Sequence, residues 1–377
     1  MGHKNKNKPA KYPLVSICTP TFNRRPFIPI MIKCFEHQTY PKDKIEWIII
    51  DDGTDKIGDL VSHIPQVKYF KYDIKMTLGK KRNLLNQKAT GDIIVYMDDD
   101  DYYPPERISH AVDTLKNSKA LCAGSSAMFI YFKHINKMIQ FGPYGQTHST
   151  AATFAFKREL LSKTKFDEES SVAEERKFLK EYTIPFVQLE SKKTILVFSH
   201  NHNSFDKKEL LNQGPNPSMH VTELMPHDIV KEPEILKFFM EDIDALLTAY
   251  EPGKSDYKPD VTKQLAEIKQ KRETMMREQM AKQSEYNDAV NRINSSMNPQ
   301  VVQNTITQQS FAIQQLLMEN GQLKEKVNYL ENKIKQLINE RIQEKLKEKQ
   351  QSQTIQQTQL PNETKHIELS TASPNII

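Results

Sequence analysis

Cysteine is scarce. The 377-residue chain holds three, Cys18, Cys34 and Cys122, in apolar surroundings and without metal-ligand spacing. That excludes a disulfide framework and favours a reducing compartment. Long apolar runs are also lacking; none approaches the ~18 residues needed to span a bilayer. The first residues, MGHKNKNKPAKY, are charged but lead into no apolar stretch, so no secretory signal is expected. Lys6 stands where a myristoylation pattern requires Ser or Thr. A soluble, cytoplasmic protein is expected. Charge of one sign is missing too. The 53 Lys and Arg face 48 Asp and Glu, and a formal +5 is diffuse, unlike the clustered footprint of a nucleic-acid binder. Only 37% of residues are hydrophobic. Part of the chain must therefore build something other than a packed core. The Lys-, Asn- and Ile-rich composition is associated with AT-rich genomes, such as those of large DNA viruses or parasites. A viral origin would place the protein in a viral factory or the virion.

What is present is unevenly spread. From Lys11 to about Leu211, short β-rich runs alternate with helical patterns, the signature of an α/β layer around a mostly parallel sheet. Leu14–Thr19, Trp47–Ile50 and Asp92–Met97 read as buried strands. Leu121–Phe132, Thr153–Phe156 and Thr194–Phe198 supply more. Pro26–Gln38 sets Ile28, Met31, Ile32 and Phe35 on one helical face. Pro104-Pro105 opens another helix, with Ile108, Ala111, Val112 and Leu115 at helical spacing. Turn-rich Asn212–Pro217 ends this pattern. Leu236, Phe239, Met240, Ile243, Leu246 and Leu247 then mark a helix that packs back on the first domain or between subunits. Glu251–Pro259 reads as a linker.

Beyond it one segment is strongly ordered. In Ile313–Leu337, Leu316, Leu323, Leu330 and Leu337 recur every seven residues, with Ile313, Asn320, Val327 and Ile334 three places earlier. Leu at d, β-branched residues at most a positions and one Asn at a favour a parallel two-stranded coiled coil, and hence a homodimer. The bland alternative is an amphipathic helix lying on the globular domain. The Gln-, Ser- and Thr-rich stretch from Gln350 reads as disordered.

The chemistry concentrates in acidic runs. Asp98-Asp99-Asp100-Asp101 directly follows a strand. Adjacent carboxylates repel one another and need a cation or many donors nearby. At the C-terminal end of a central strand they occupy the ligand-binding edge of an open α/β sheet. Hard oxygen ligands suit Mg²⁺ or Mn²⁺ with a bound phosphate; a solvated turn capping the next helix is the simpler alternative. Asp51-Asp52-Gly53 ends an earlier strand and, alone, is an ordinary turn. Thr19-Pro20-Thr21-Phe22-Asn23-Arg24 offers small polar groups and an aromatic for a flat base. Gly79-Lys80-Lys81-Arg82-Asn83 opens a helix where basic groups can meet a diphosphate or a base.

Together, VSICTPTFNRRPFI, WIIIDDGT and GKKRN…ATGDIIVYMDDDDYYPPERI resemble glycosyltransferase family 2, enzymes of the GT-A fold, over roughly residues 13–205. The resemblance implies a Rossmann-like mixed sheet flanked by helices, and a nucleoside-diphosphate-sugar donor, most commonly of UDP. It implies that Pro20, Thr21, Phe22 and Asn23 form the first donor loop. Asp52 would contact the base, and Arg82 would lie close to the nucleotide. The family's Asp-x-Asp motif maps onto Asp98-Asp99-Asp100, with Asp100 the direct ligand of Mn²⁺ or Mg²⁺ and Asp98 nearer the ribose. Four consecutive acids leave the register open by one residue. Family members carry a Glu-Asp pair whose second member is the general base. Here it reads Glu174-Glu175, so either acid is a candidate and Glu175 is favoured. GT-A enzymes often close the site with a C-terminal histidine, here His200 or His202. Tyr144–Thr150, with His148, is a polar loop of the kind that holds an acceptor.

One base and in-line attack imply single displacement with inversion. The acceptor, a glycan or a protein, is not specified by these residues. The competing reading is an inactive, transferase-like scaffold whose coiled coil mediates assembly. A nucleotidyltransferase is disfavoured because TPTFNRR has no glycine with which to cradle phosphate. The expected organisation is a flexible N-terminus (1–12), a GT-A domain (13–212), a helical extension (213–255), a polar helical linker (256–308), a coiled coil (309–349) and a disordered tail (350–377).

Overall fold

The computed structural model describes residues 12–212, 216–296 and 299–357. Contacts separate two units, 1–276 and 277–377, with the boundary inside a long helix.

The first unit is built on a seven-stranded mixed sheet. Its strands are β1 (Val15–Thr21), β2 (Ile45–Asp51), β3 (Val67–Lys71), β4 (Ile93–Tyr96), β5 (Cys122–Gly124), β8 (Ala155–Lys157) and β9 (Phe186–Gln188), in the order β3-β2-β1-β4-β8-β5-β9. β1 to β4 are mutually parallel, and β8 enters antiparallel to β4 and β5. Every residue of β1, β2 and β4 is buried, as a parallel sheet covered on both faces requires. Alternate side chains feed opposite cores. Ile17, Trp47, Ile49 and Val95 face one, with Phe35 stacked on Trp47 at 4.7 Å. Cys18, Ile48, Ile50, Ile94 and Tyr96 face the other. All three cysteines are buried, free thiols.

Helices α1 (Ile28–Glu36), α2 (Gly58–Val61), α3 (Leu78–Lys88) and α4 (Arg107–Lys116) connect the strands. Because β2 and β4 flank β1 on opposite sides, the strand order reverses there. The carboxyl ends of β1 and β4 then open onto a crevice.

The apolar run Leu121–Phe132 is divided. Ser125–Ala127 breaks it into β5 in the main sheet and β6 (Met128–Phe132) in a second sheet. That sheet has the order β10-β6-β7-β11, with β7 (Lys137–Phe141), β10 (Leu196–Phe198) and β11 (Met219–Val221). The pattern missed β3, β7, β9 and β11, which are short and half-exposed or lack alternation.

The apolar stretch at 226–248 does fold back, as α6 (Pro226–Ile229), α7 (Pro233–Lys237), a π turn (Phe238–Asp242) and α8 (Ile243–Thr248), with the four-residue α5 (Glu175–Phe178) preceding them in the chain. Phe239 stacks on Phe198 at 4.0 Å and Phe238 meets Phe27 at 6.1 Å. Leu246 stays 43% exposed. The expected linker Glu251–Pro259 is not a free tether. It forms two 3-10 turns, and Lys258 at its end is buried. From it starts α9 (Pro259–Ser296).

The second unit comprises the end of α9 and α10 (Pro299–Gln357). Residues 350–357, expected to be disordered, continue α10. The expected flexible N-terminus up to residue 11 and the tail beyond Gln357 lie outside the described residues. Among the described residues, no helix is long and apolar enough to cross a membrane.

Candidate active site

At the crevice above β1 and β4 lies a cavity of about 380 Å³. The end of β1 contributes Pro20, the loop after it Phe22 and Arg24, and the loop after β4 Asp98 to Asp101. Lys81 and Arg82 come from α3, which Thr77 caps by accepting from the Lys80 amide. Gly79 is required here. A Cβ at that position would sit 1.9 Å from the Asp167 carbonyl, and the Gly79 amide donates to Ser170 O at 2.8 Å. This close approach seats the 167–174 loop on α3 and brings Glu174 and Glu175 to the cavity.

Arg24 organises the acidic run. Its Nη2 is 2.9 Å from Asp100 Oδ2, its Nε is 3.4 Å from Asp99 Oδ1, and its Nη1 donates to His202 O at 2.6 Å. Burial would raise the Asp100 carboxyl, but Arg24 and His200 hold it well below its ordinary value. Asp99 is pushed up to about 7 by burial, against the pull of Arg24. Burial and the charge of Asp100 push Asp101 well up, and its Oδ1 is buried with no partner. Two of the four acids therefore resist ionisation in the absence of a further cation.

On the opposite wall, Arg82 donates from Nε to Glu174 Oε1 at 2.7 Å and faces both oxygens of Asp98 at 3.3 Å. Its guanidinium lies 4.6 Å from the centre of the Tyr96 ring. Among the described residues, Glu175 has no such partner. Burial, then the charge of Glu174, push its carboxyl up to about 7.

Several expected residues stand elsewhere. Asp52 does not line the cavity. It is 2% exposed, ion-paired with Lys81, and accepts from the Met76 amide at 2.6 Å. Its carboxylate is spent in holding α3 and the loop before it. Asn23 takes a left-handed φ of 52°. Its carboxamide accepts from the Thr54 and Asp55 amides at 2.7 and 3.0 Å and donates to Pro252 O at 2.9 Å. It is a joint between loops, whereas Phe22 faces the cavity with Lys75 and Lys81 at 5.2 and 5.8 Å from its ring. Thr21 is buried at the end of β1 and likewise does not line it.

The histidines separate. His200 Nε2 lies 3.5 Å from Asp100 Oδ2, while the His202 ring turns away toward Gly253 and Tyr250. Burial lowers both to about 4, so both are neutral near pH 7. His148 sits between the Tyr144 and Tyr182 rings at 5.0 and 5.1 Å, and Thr150 to Ala152 beyond it line the cavity.

Among the described residues, no group of three or more His, Cys, Asp and Glu converges to hold a metal ion. The donor set nevertheless suits a divalent ion of the kind held by one or two carboxylates with substrate phosphates completing its shell. Asp100, with neutral His200 3.5 Å away, would provide the protein's share of such a shell.

Arg24, Lys75, Lys207 and Lys258 also line the cavity and were not anticipated. Arg24 had a signal, since it follows the first-strand loop and had to face the four-acid run. Lys207 and Lys258 had none, because only the fold brings those segments here.

The family model described as glycosyl transferase family 2 matches residues 16–183. An uncharacterized glycosyltransferase of Haemophilus influenzae is 31% identical over 30% of this chain and 48% of its own length. The poly(ribitol-phosphate) beta-N-acetylglucosaminyltransferase TarS of Staphylococcus aureus is 28% identical over 26% of this chain and 18% of its own. The chain thus spans about half, or less, of the lengths of these curated relatives. Among solved structures, S. aureus TarS 1–349 in complex with UDP-GlcNAc is similar over 50% of this chain and 59% of that one, with 21% identity and a TM-score of 0.41. The mannosyltransferase PcManGT from Pyrobaculum calidifontis in complex with GDP-Man and Mn2+ is similar over 56% and 67%, with 17% identity and a TM-score of 0.42. Residues 16–183 are thus similar to a glycosyl transferase family 2 domain.

Proposed function

We propose that the protein transfers a sugar from a nucleoside-diphosphate donor, of the UDP class, to an acceptor hydroxyl with inversion at the anomeric carbon. The observation that supports this reading most is the division of labour between two adjacent acids. Glu174 is neutralised by Arg82, while Glu175 stands in the same cavity with its carboxyl raised to about 7. A general base works best with a pKa near the operating pH. Glu175 is accordingly the base that takes the acceptor proton, and Glu174 a positioning residue acting through Arg82. Pro20 and Phe22 line the nucleotide end, with Asp98 toward the ribose. Asp100, with His200, would hold Mn²⁺ or Mg²⁺, which when bound supplies Lewis-acid stabilisation of the departing diphosphate.

The test is a panel of sugar nucleotides incubated with the full chain and Mn²⁺, followed by NMR of the product anomer. Absence of turnover with every donor removes the reading, and a product retaining the donor's anomeric configuration removes single displacement.

The scaffold alternative is supported by α10. Ile313, Leu316, Leu323, Val327, Leu330, Ile334 and Leu337 are each more than half exposed on the single chain. A second copy would bury them. The two readings are compatible, and we take the helix to dimerise a working enzyme.

A further inference from the structure

We propose that Lys258, assisted by Lys207, binds the diphosphate of the donor, so that chain beyond the family 2 domain completes the donor site. This inference rests on the nucleotide-sugar reading above.

Lys258 belongs to the stretch that reads as a linker in the sequence, yet it is only 5% exposed and lines the catalytic cavity. Its ammonium donates to Ser204 Oγ at 3.1 Å, a neutral partner. Among the described residues, no carboxylate forms an ion pair with it. The charged groups facing it are Arg24 and Lys81, which oppose it, and Asp99 and Asp100, which attract it but are already engaged by Arg24. Burial and the charge of Arg24 lower its pKa to about 7, the mark of an ammonium short of anionic company. A buried charge without a partner is costly unless a ligand supplies one.

The lysine is held in place by the start of the helix that follows it. Just after it, Asp260 pairs with Lys75 and accepts from Ser171 Oγ at 2.6 Å. Gln264 accepts from the Ser171 amide at 2.8 Å and donates to Glu169 O at 2.6 Å. The start of α9 is thus fastened to the loop that carries Glu174 and Glu175. Lys207 lines the same cavity and acts electrostatically on Asp100 and Asp101.

The chemistry of the walls selects the ligand. A simple monoanion near the lysines would face the aspartate run uncompensated. A diphosphate has oxygens enough to meet Lys258 and Lys207 on one side and share a divalent ion with Asp100 on the other. The same contacts favour the diphosphate as leaving group, because its charge grows as the sugar departs.

Calorimetric titration of the full chain with UDP, GDP and ADP, each in Mn²⁺, and with the parent nucleosides tests this. Lys258→Met is expected to weaken the preferred nucleoside diphosphate by about tenfold or more, the loss of one charged hydrogen bond. It should leave the nucleoside unchanged, and Lys258→Arg should restore most of the affinity. Wild-type affinity for the diphosphate in folded Lys258→Met overturns the proposal. Should circular dichroism show that variant unfolded, the half-buried Lys207→Met carries the test, and unchanged affinity there overturns it equally. If the wild type binds no nucleoside diphosphate, the donor reading itself has failed, and this inference with it.

Discussion

Arg82 and Glu174 are joined at 2.7 Å, and the same guanidinium turns both its terminal nitrogens to Asp98 at 3.3 Å. One buried cation thus ties the acidic pair at 174–175 to the acidic run after β4. It draws the charge of Glu174 into a structural role and leaves Glu175 as the acid with an unsettled proton.

Substituting the two glutamates should therefore give different failures. Glu175→Gln is expected to lower kcat by about 10²–10⁴-fold, the usual worth of a general base, with little change in melting temperature. Glu174→Gln strips a buried guanidinium of its nearer partner and should cost about 3 kcal/mol of stability in urea unfolding. The opposite pattern would exchange their roles.

The raised carboxyl of Glu175 sets a pH dependence. Below about pH 7 the base is protonated, so kcat/KM should rise about tenfold per pH unit from pH 5 and level off above 7. A profile already flat from pH 5 would mean that Glu175 titrates like an ordinary glutamate. Stability moves the other way. The folded state holds this proton more tightly than the unfolded chain does, so this group makes the fold less stable as pH rises from the usual glutamate range to about 7.

Asp52 and Lys81 form a pair buried almost completely. Lys81→Met should destabilise the protein by about 3–5 kcal/mol, since it leaves a carboxylate without a counter-charge. The double variant Asp52→Asn with Lys81→Met should recover much of the loss. Equal unfolding free energies for the single and double variants would show that Asp52 does not depend on Lys81.

The exposed leucine seam of α10 predicts a dimer at micromolar concentration in sedimentation equilibrium. Leu323→Lys with Leu330→Lys should yield a monomer. A wild-type monomer would assign the seam some other role.

Much of this was legible locally. Buried strands ending in acids at Asp52 and Asp98, and a second acidic pair at 174–175, are short-range patterns, and the resemblance to family 2 rests on their order. That 313–337 is helical was equally readable, because a helical repeat depends on nothing outside itself. Tertiary structure decided the rest. It spent Asp52 on Lys81 and Asn23 on the loops at 54 and 252, turned His202 away while leaving His200 beside Asp100, and distinguished Glu174 from Glu175 through Arg82. It also carried Lys207 and Lys258 into the cavity from segments that read as a turn and a tether. Whether a charge is free or already paired depends on groups distant in the chain and adjacent in space, and no local pattern encodes that adjacency.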